Sequence, residues 1–327
     1  VGGHNNKISG SSTLSVYDTG TSSNVNVSSS IDFSFIGGGT GNLITQTGSF
    51  SSIVGGCNNT VSQSFSFLGG GCNNTISNYN FNKRGAVVVG GISNCIGTGP
   101  PEAHDFAPFI GAGKNNSAGG YSANIVGGCL NTAAGYFDFI GSGCKNTTTA
   151  GNQHNIVVGG LNNNSAADFN FIGGGSNNKA SGPSAVLVGG TFNTGSDCFT
   201  FIGGGCRNLA SACFTSVVGG NLNTGSGFFS FVGGGFCNSN VSNGSFIGGG
   251  SSNCLRGASS SSIVGGEHNE ISGSLAALSF IGGGCNNEIS SSCSSIVGGK
   301  SNKVGGNFSA VVGLSLIHIS EPTRRYS

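Results

Sequence analysis

The sequence predicts an all-β parallel β-solenoid, on three observations: a fifteen-residue unit that recurs about eighteen times, no helix-period patterning, and 64 Gly in 327 residues. The stretch "SFSFLGGGCNNTIS" at 64–77 returns as "NFIGGGSNNKAS" from Asn170 and as "SFIGGGCNNEIS" from Ser279. A second version, "SSIVGGCNNTVS" from Ser51, is interleaved with it. Gly-dense text destabilises a helix by about 1 kcal/mol per Gly. A short run such as "FSFLG", a Gly turn and a second run such as "NNTIS" instead fit two strands and two turns per rung. Rungs stacked at about 4.8 Å would make eighteen of them a rod on the order of 85 Å long.

Composition narrows the function classes. Charged residues are 7% of the chain, against roughly a quarter in ordinary globular domains. Hydrophobic residues reach 36%, enough apolar surface to bury, so disorder is not expected. The formal net charge is +1 with no basic run. Phosphate recognition needs clustered Lys and Arg, so no nucleic-acid partner is predicted. No run of eighteen apolar residues occurs, so no membrane insertion is expected in this segment. No cofactor is predicted.

The period is anchored by an Asn three residues after the last Gly of each "GG". It stands at Asn6, Asn42, Asn59, Asn74, Asn94, Asn116, Asn131, Asn146, Asn163, Asn178, Asn193, Asn208, Asn223, Asn238, Asn253, Asn269, Asn287 and Asn302. Ten of the seventeen intervals are 15 residues. The long intervals, Asn6 to Asn42 and Asn94 to Asn116, hold Ser-rich or Pro-containing text and read as inserted loops at about 10–30 and 97–108. At a tight turn Asn tolerates the left-handed region, and its amide can bond neighbouring backbone. Stacked in register, identical Asn side chains can also bond along the axis as a ladder.

Positions are counted from this Asn. Position −6 is apolar at Ile36, Ile53, Leu68, Ile125, Ile140, Ile172, Ile202, Val232 and Ile281, the expected core ladder. Positions −7 and −5 point to the opposite face of that strand. There Phe with Gly (Phe67 and Gly69, Phe201 and Gly203) alternates with a smaller residue and Val (Ser52 and Val54, Ser295 and Val297). The alternation slips once, at Phe231 and Phe246. A strand apolar on both faces is usually buried on both. A second sheet of the same chain could cover the Phe and Val face, or other copies of the chain could do so around an axis.

The units "SSIVGGCNNTVS", "SFIGGGSNNKAS" and "SSIVGGEHNEISG" resemble the head repeats of trimeric autotransporter adhesins. They are similar too to the Gly-Asn-Ser repeats of tail-fibre-like proteins of phages and other viruses. The resemblance covers residues 1–313. It implies a left-handed parallel β-roll, three associated chains, and an adhesive or spacing rod on an extracellular or virion attachment fibre. The implied partners are two further copies of the chain and a host-cell surface or glycan receptor. Leu314 to Arg324 resembles translated read-through of a sequencing-library adapter, so 314–327 is expected not to be part of the repeat domain. The chain opens mid-motif at "VGGHNNKIS", which reads as a fragment truncated at both ends.

The cysteines follow the period. Cys57 and Cys72, Cys129 and Cys144, and Cys198 and Cys213 are each one rung apart. In register, each pair would lie near 4.8 Å between Cα atoms, within reach of a disulfide. Reduced Cys serving as a small residue is the alternative. Position −2, shared by the first two pairs, elsewhere holds Lys114, Glu267 and Lys300 and should face water. The C-x₂-C spacing of a zinc site does not occur. Catalysis finds no support: His4, His104, His154 and His268 are scattered, and the one dense polar cluster, Glu102, His104 and Asp105, reads as a solvated loop. A monomeric ice-binding solenoid would want a flat row of Thr. Position +1 offers Thr60, Thr75, Thr132, Thr147, Thr194 and Thr224, but also Lys7, Lys179, Glu270, Glu288 and Lys303. A solenoid polysaccharide-processing enzyme would want paired carboxylates along a groove, and the sequence offers none.

Overall fold

In the computed structural model every strand is parallel to its neighbours, and there is no helix among the described residues. The structure describes residues 3–8, 33–45, 48–77, 85–97, 108–315 and 318–319. Most of the two predicted loops, and with it Glu102, His104 and Asp105, lies outside them. So do 316–317 and 320–327 of the tail. The chain divides into two compact units, Val1–Phe169 and Asn170–Ser327. Each is a parallel β-solenoid, and together they make about 17 turns.

Each turn contributes two strands, most of them two residues long. In the first unit one column runs through Ser52–Ile53, Phe67–Leu68 and Val87–Val88, with Ser52 opposite Phe67 and Phe67 opposite Val87. The other runs through Thr60–Val61, Thr75–Ile76 and Cys95–Ile96. The second unit repeats both columns, for example Val186–Leu187 beside Phe201–Ile202 and Thr194–Gly195 beside Leu209–Ala210. The insertions leave register intact: Lys7 still pairs with Leu43, and Cys95 with Ser117. Leu314–Ser315 pairs with Gly299–Lys300.

With so few residues per strand, the inward side chains must fill the core alone. Position −6 does most of this: Ile53, Leu68, Ile125, Ile140, Ile172, Ile202, Val232 and Ile281 are fully buried, and Ile36 nearly so. Positions +2 and −8 also point inward, and their sizes compensate. Position +2 is Ile44, Val61, Ile76 and Ile96 early in the chain but Gly195, Ala210 and Gly225 in the middle. Opposite the small residues, position −8 grows from Ser51 and Ser66 to Thr200 and Thr215. A Cβ on Gly225 would run into Thr215 Cγ2, and one on Gly195 would lie 2.7 Å from Thr200 Oγ1 and 3.0 Å from Leu187 Cδ1. The missing methyls are therefore filled from across the core, which keeps the interior close-packed.

The period-defining Asn is not the left-handed residue, which corrects one expectation. That conformation belongs to the residue before it, as in Asn58 (φ 51°), Asn73 (φ 57°) and Arg207 (φ 54°). The Asn itself is buried at Asn59, Asn74, Asn131, Asn146, Asn163, Asn178, Asn193, Asn208, Asn223, Asn238, Asn253, Asn287 and Asn302. Its bonds run mostly to backbone. Asn74 Nδ2 donates to the Gly70 carbonyl of its own turn (3.0 Å) and to the Gly91 carbonyl of the next (2.8 Å), while the Asn94 N–H donates to Asn74 Oδ1 (3.0 Å). Direct amide-to-amide bonds join a minority, such as Asn253 to Asn238 and Asn302 to Asn287. Each Asn thus supplies the acceptor for one buried N–H and a donor for two turn carbonyls. The N–H and the own-turn carbonyl depend on this amide, whereas the next-turn carbonyl also accepts a backbone N–H, as Gly91 does from Cys72.

Candidate functional site

The strand carrying position −6 turns positions −7 and −5 outward, and no second layer among the described residues covers them. Eight Val at position −5, including Val54, Val126, Val188 and Val264, are 45–53% exposed. Phe67, Phe246 and Phe280 at position −7 are about 40% exposed. Of the two ways of covering this face, a second sheet of the same chain is therefore absent from the described residues. The alternation of Phe–Gly with Ser–Val has a steric cause. The Phe67 ring lies against Gly69, whose added Cβ would be 3.4 Å from Phe67 Cε1 and would run into the Val89 carbonyl oxygen of the next turn. Large beside absent thus alternates with a smaller residue beside Val, and each unit carries an exposed, largely apolar face. None of its −7 or −5 positions carries a charge.

A second apolar row borders this face, and the sequence reading missed it. At position −9, the corner before the strand, Phe50, Phe65, Phe137, Phe169, Phe199, Phe214 and Phe229 all adopt left-handed backbone, with φ of 52–60°. All seven are exposed. Their rings stack from turn to turn: Phe50 on Phe65 at 4.9 Å, Phe199 on Phe214 at 5.0 Å, and Phe214 on Phe229 at 4.8 Å. His154 takes the same place between Phe137 (5.0 Å) and Phe169 (5.3 Å). The fifteen-residue spacing of these Phe was the available signal; it was masked because Phe at −7 shares it.

The opposite strand column is polar and interrupted. Thr60, Thr75, Thr132, Thr147, Thr194 and Thr224 are half-buried, while Lys7, Lys179 and Lys303 project into solvent. Lys303 Nζ pairs with Glu288 Oε2 at 2.9 Å. A flat Thr row does not form. Beside this column Cys57–Cys72 and Cys129–Cys144 are bonded turn to turn, with Cα–Cα distances of 4.7 and 4.6 Å; Cys198–Cys213, next to the corner Phe199 and Phe214, is bonded likewise at 4.6 Å. Asp197 Oδ1 accepts the Cys198 N–H (2.8 Å) and sits 3.1 Å from Cys213 Sγ. The two sulfurs of that cluster bond to each other, so they present no thiolate to a metal. Of the remaining thiols, Cys95 and Cys254 are pushed upward in pKa, in both cases first by burial, which makes them poor nucleophiles near neutrality.

Among the described residues one carboxylate lies in the core. Asp138 occupies position −8, fully buried. Its Oδ2 accepts the Gly135 N–H (3.0 Å) and its Oδ1 the Asn155 N–H of the next turn (2.8 Å). Burial raises its pKa, and the hydrogen bonds from Thr148, Asn155 and Gly135 oppose the rise. A folded pKa above the unfolded one favours the fold most below the unfolded value, and that contribution is lost as pH climbs through the folded value. Asp138→Ser places there the residue found at Ser230 and Ser245. Urea titrations of the two proteins are expected to show wild type gaining on the variant as pH falls from neutrality towards about 4. A gain in the opposite direction would contradict the assigned shift.

No protein-family model matches the chain, and no curated protein does. Function is therefore argued from the surface itself. No helix among the described residues is long and apolar enough to cross a membrane.

Proposed function

We propose that the chain is a structural and adhesive segment of an extracellular or virion attachment fibre, assembled as a homotrimer and presenting repeated surface to a host-cell surface or glycan. It carries out no catalysis in this reading. The observation that carries the proposal is the uncharged Phe and Val face in each unit, which the chain's own described residues leave open. Monomers rarely tolerate contiguous apolar patches beyond a few hundred Å². A face with a 15-residue period is best covered by a surface of the same period, which other copies of the chain provide. The Ser, Thr and Asn of the opposite column then face outward, where weak contacts repeated on three chains gain avidity.

Light scattering after gel filtration of the full chain, with and without reductant, tests this reading. The expected mass is three times the chain mass of 32.2 kDa in both conditions. The reductant leaves the mass unchanged because the three bonded Cys pairs join turns of one chain. A monodisperse monomer would overturn the trimeric reading, and a trimer that falls apart in reductant would show that sulfur chemistry, not the apolar face, holds it.

A further inference from the structure

Two rows of this fold are occupied in ways that folding of a single chain does not require. The first is the corner row of Phe. Left-handed backbone disfavours an L side chain by about 1–2 kcal/mol. Phe199, Phe214 and Phe229 accept it while 42–58% exposed. Other turns place Ser122, Ser184 or Ser260 at the same corner with the same φ, so the fold does not require Phe there. Turn-to-turn stacking returns only about 0.5–1.5 kcal/mol per pair. It also leaves ring edges rather than faces to the outside, which does not suit a sugar or base that stacks on a face. The second row is position −4. Gly189, Gly204 and Gly219 have no left-handed φ, and a Cβ on any of them would meet nothing within 4 Å.

The two rows flank the same strand. The Phe row lies at its leading edge and the Gly row at its trailing edge, five residues on and so at most about 17 Å away. Between them lies the uncharged face of positions −7 and −5. Charged residues such as Arg207, Glu267 and Lys300 occupy positions −1 and −2 instead, beyond the Gly row.

We propose that the Phe corner row of each copy seats against the Gly row of the next copy, so that the occupant of this face is a second copy of this chain. The inference rests on the trimeric reading above and specifies how that trimer closes. Cyclic symmetry around an axis sets the leading edge of each face beside the trailing edge of its neighbour, a heterologous contact that closes into a ring. A ridge of aromatic edges then meets a trough where no Cβ stands in the way, and both repeat at the same turn spacing. Taking roughly 200 Å² for a Phe side chain, the half-exposed Phe and Val of the second unit offer on the order of 800 Å². That is about what each partner contributes to a standard stable interface.

Two variants of the full chain test the pairing in one turn. Gly219→Leu fills the trough where the chain itself leaves open space, and Phe214→Ser removes a ridge residue in favour of one the corner already accepts at Ser184. Both are expected to keep the wild-type circular dichroism spectrum and to raise the trimer dissociation constant by at least about 30-fold, the effect of losing one interface hot spot. The double variant Phe214→Cys/Gly219→Cys should form a covalent trimer under oxidation, lost in reductant and absent from the wild-type chain. A wild-type monomer would overturn the trimeric reading and the pairing with it. A wild-type trimer in which neither variant weakens association, or in which the two cysteines never cross-link, would overturn the pairing alone.

Discussion

Gly205→Ala is expected to destabilise the fold by more than about 4 kcal/mol, a loss reserved for a few severe mechanisms, while Gly204→Ala, one residue earlier, leaves it unchanged or up to about 1 kcal/mol more stable. The two glycines look identical in "FIGGGCRN". Gly205 has φ of +83°, and an added Cβ would run into the Gly220 carbonyl oxygen, lying also 2.7 Å from Asn208 Nδ2 and 2.9 Å from the Gly220 nitrogen. None of these atoms can retreat freely. The Gly220 carbonyl accepts the Cys206 N–H at 2.9 Å and Asn208 Nδ2 at 3.0 Å, so moving it breaks two bonds of the ladder. The left-handed conformation adds about 1–2 kcal/mol for any L side chain. Domain stabilities of roughly 5–15 kcal/mol leave little after such a loss. At Gly204 neither the clash nor the conformation applies, and Ala narrows the unfolded ensemble. Urea unfolding followed by circular dichroism, at concentrations low enough to keep the chains apart, reads both variants. Equal midpoints would mean that the close approach of successive turns is not what selects Gly at position −3.

The contrast shows what the repeat could and could not reveal. The period, the two strands per turn and the inward row at position −6 were legible, because turns that stack in register keep the Asn column constant and the −6 column apolar. Which Gly of a "GGG" is forced and which is free was not legible. The cause is the carbonyl of the following turn, a contact across fifteen residues that Gly204 and Gly205 do not distinguish locally. The left-handed corner at Phe199, Phe214 and Phe229 was hidden for a related reason. Phe is a poor residue for that backbone, so sequence logic reads it as strand. The compensation of Gly225 by Thr215 was missed because the two sit on different columns and meet only across the core. The double apolar pattern indicated a face in need of a cover and left two covers open, a second sheet of the same chain or other copies of it; among the described residues the first of these does not occur.

Asn287→Ala is expected to lower stability by roughly 2–4 kcal/mol, whereas Asn286→Ser, its neighbour in "GGGCNNEIS", changes it by no more than about 0.5 kcal/mol. Asn287 is buried, with Nδ2 donating to the Gly283 and Gly299 carbonyls, each at 3.0 Å, and to Asn269 Oδ1 at 3.1 Å. Its Oδ1 accepts the Asn302 N–H at 3.1 Å and Asn302 Nδ2 at 3.0 Å. Truncation strips the acceptor from a buried backbone N–H, which by itself costs about 1–3 kcal/mol. It also leaves the Gly283 carbonyl without its amide, while the Gly299 carbonyl keeps the Cys285 N–H. Asn286 is exposed, and what it provides is tolerance of φ at 55°; Ser301 already supports 58° one turn later. Because each turn of a solenoid contacts only its neighbours, the damage should stay local. Amide exchange in Asn287→Ala is expected to speed first at Asn302 and in the turns on either side, ahead of the rest of the unit. Uniform loss of protection would mean that the turns open as one block, and equal midpoints for the two variants would remove the Asn bond pattern as the reason this residue recurs.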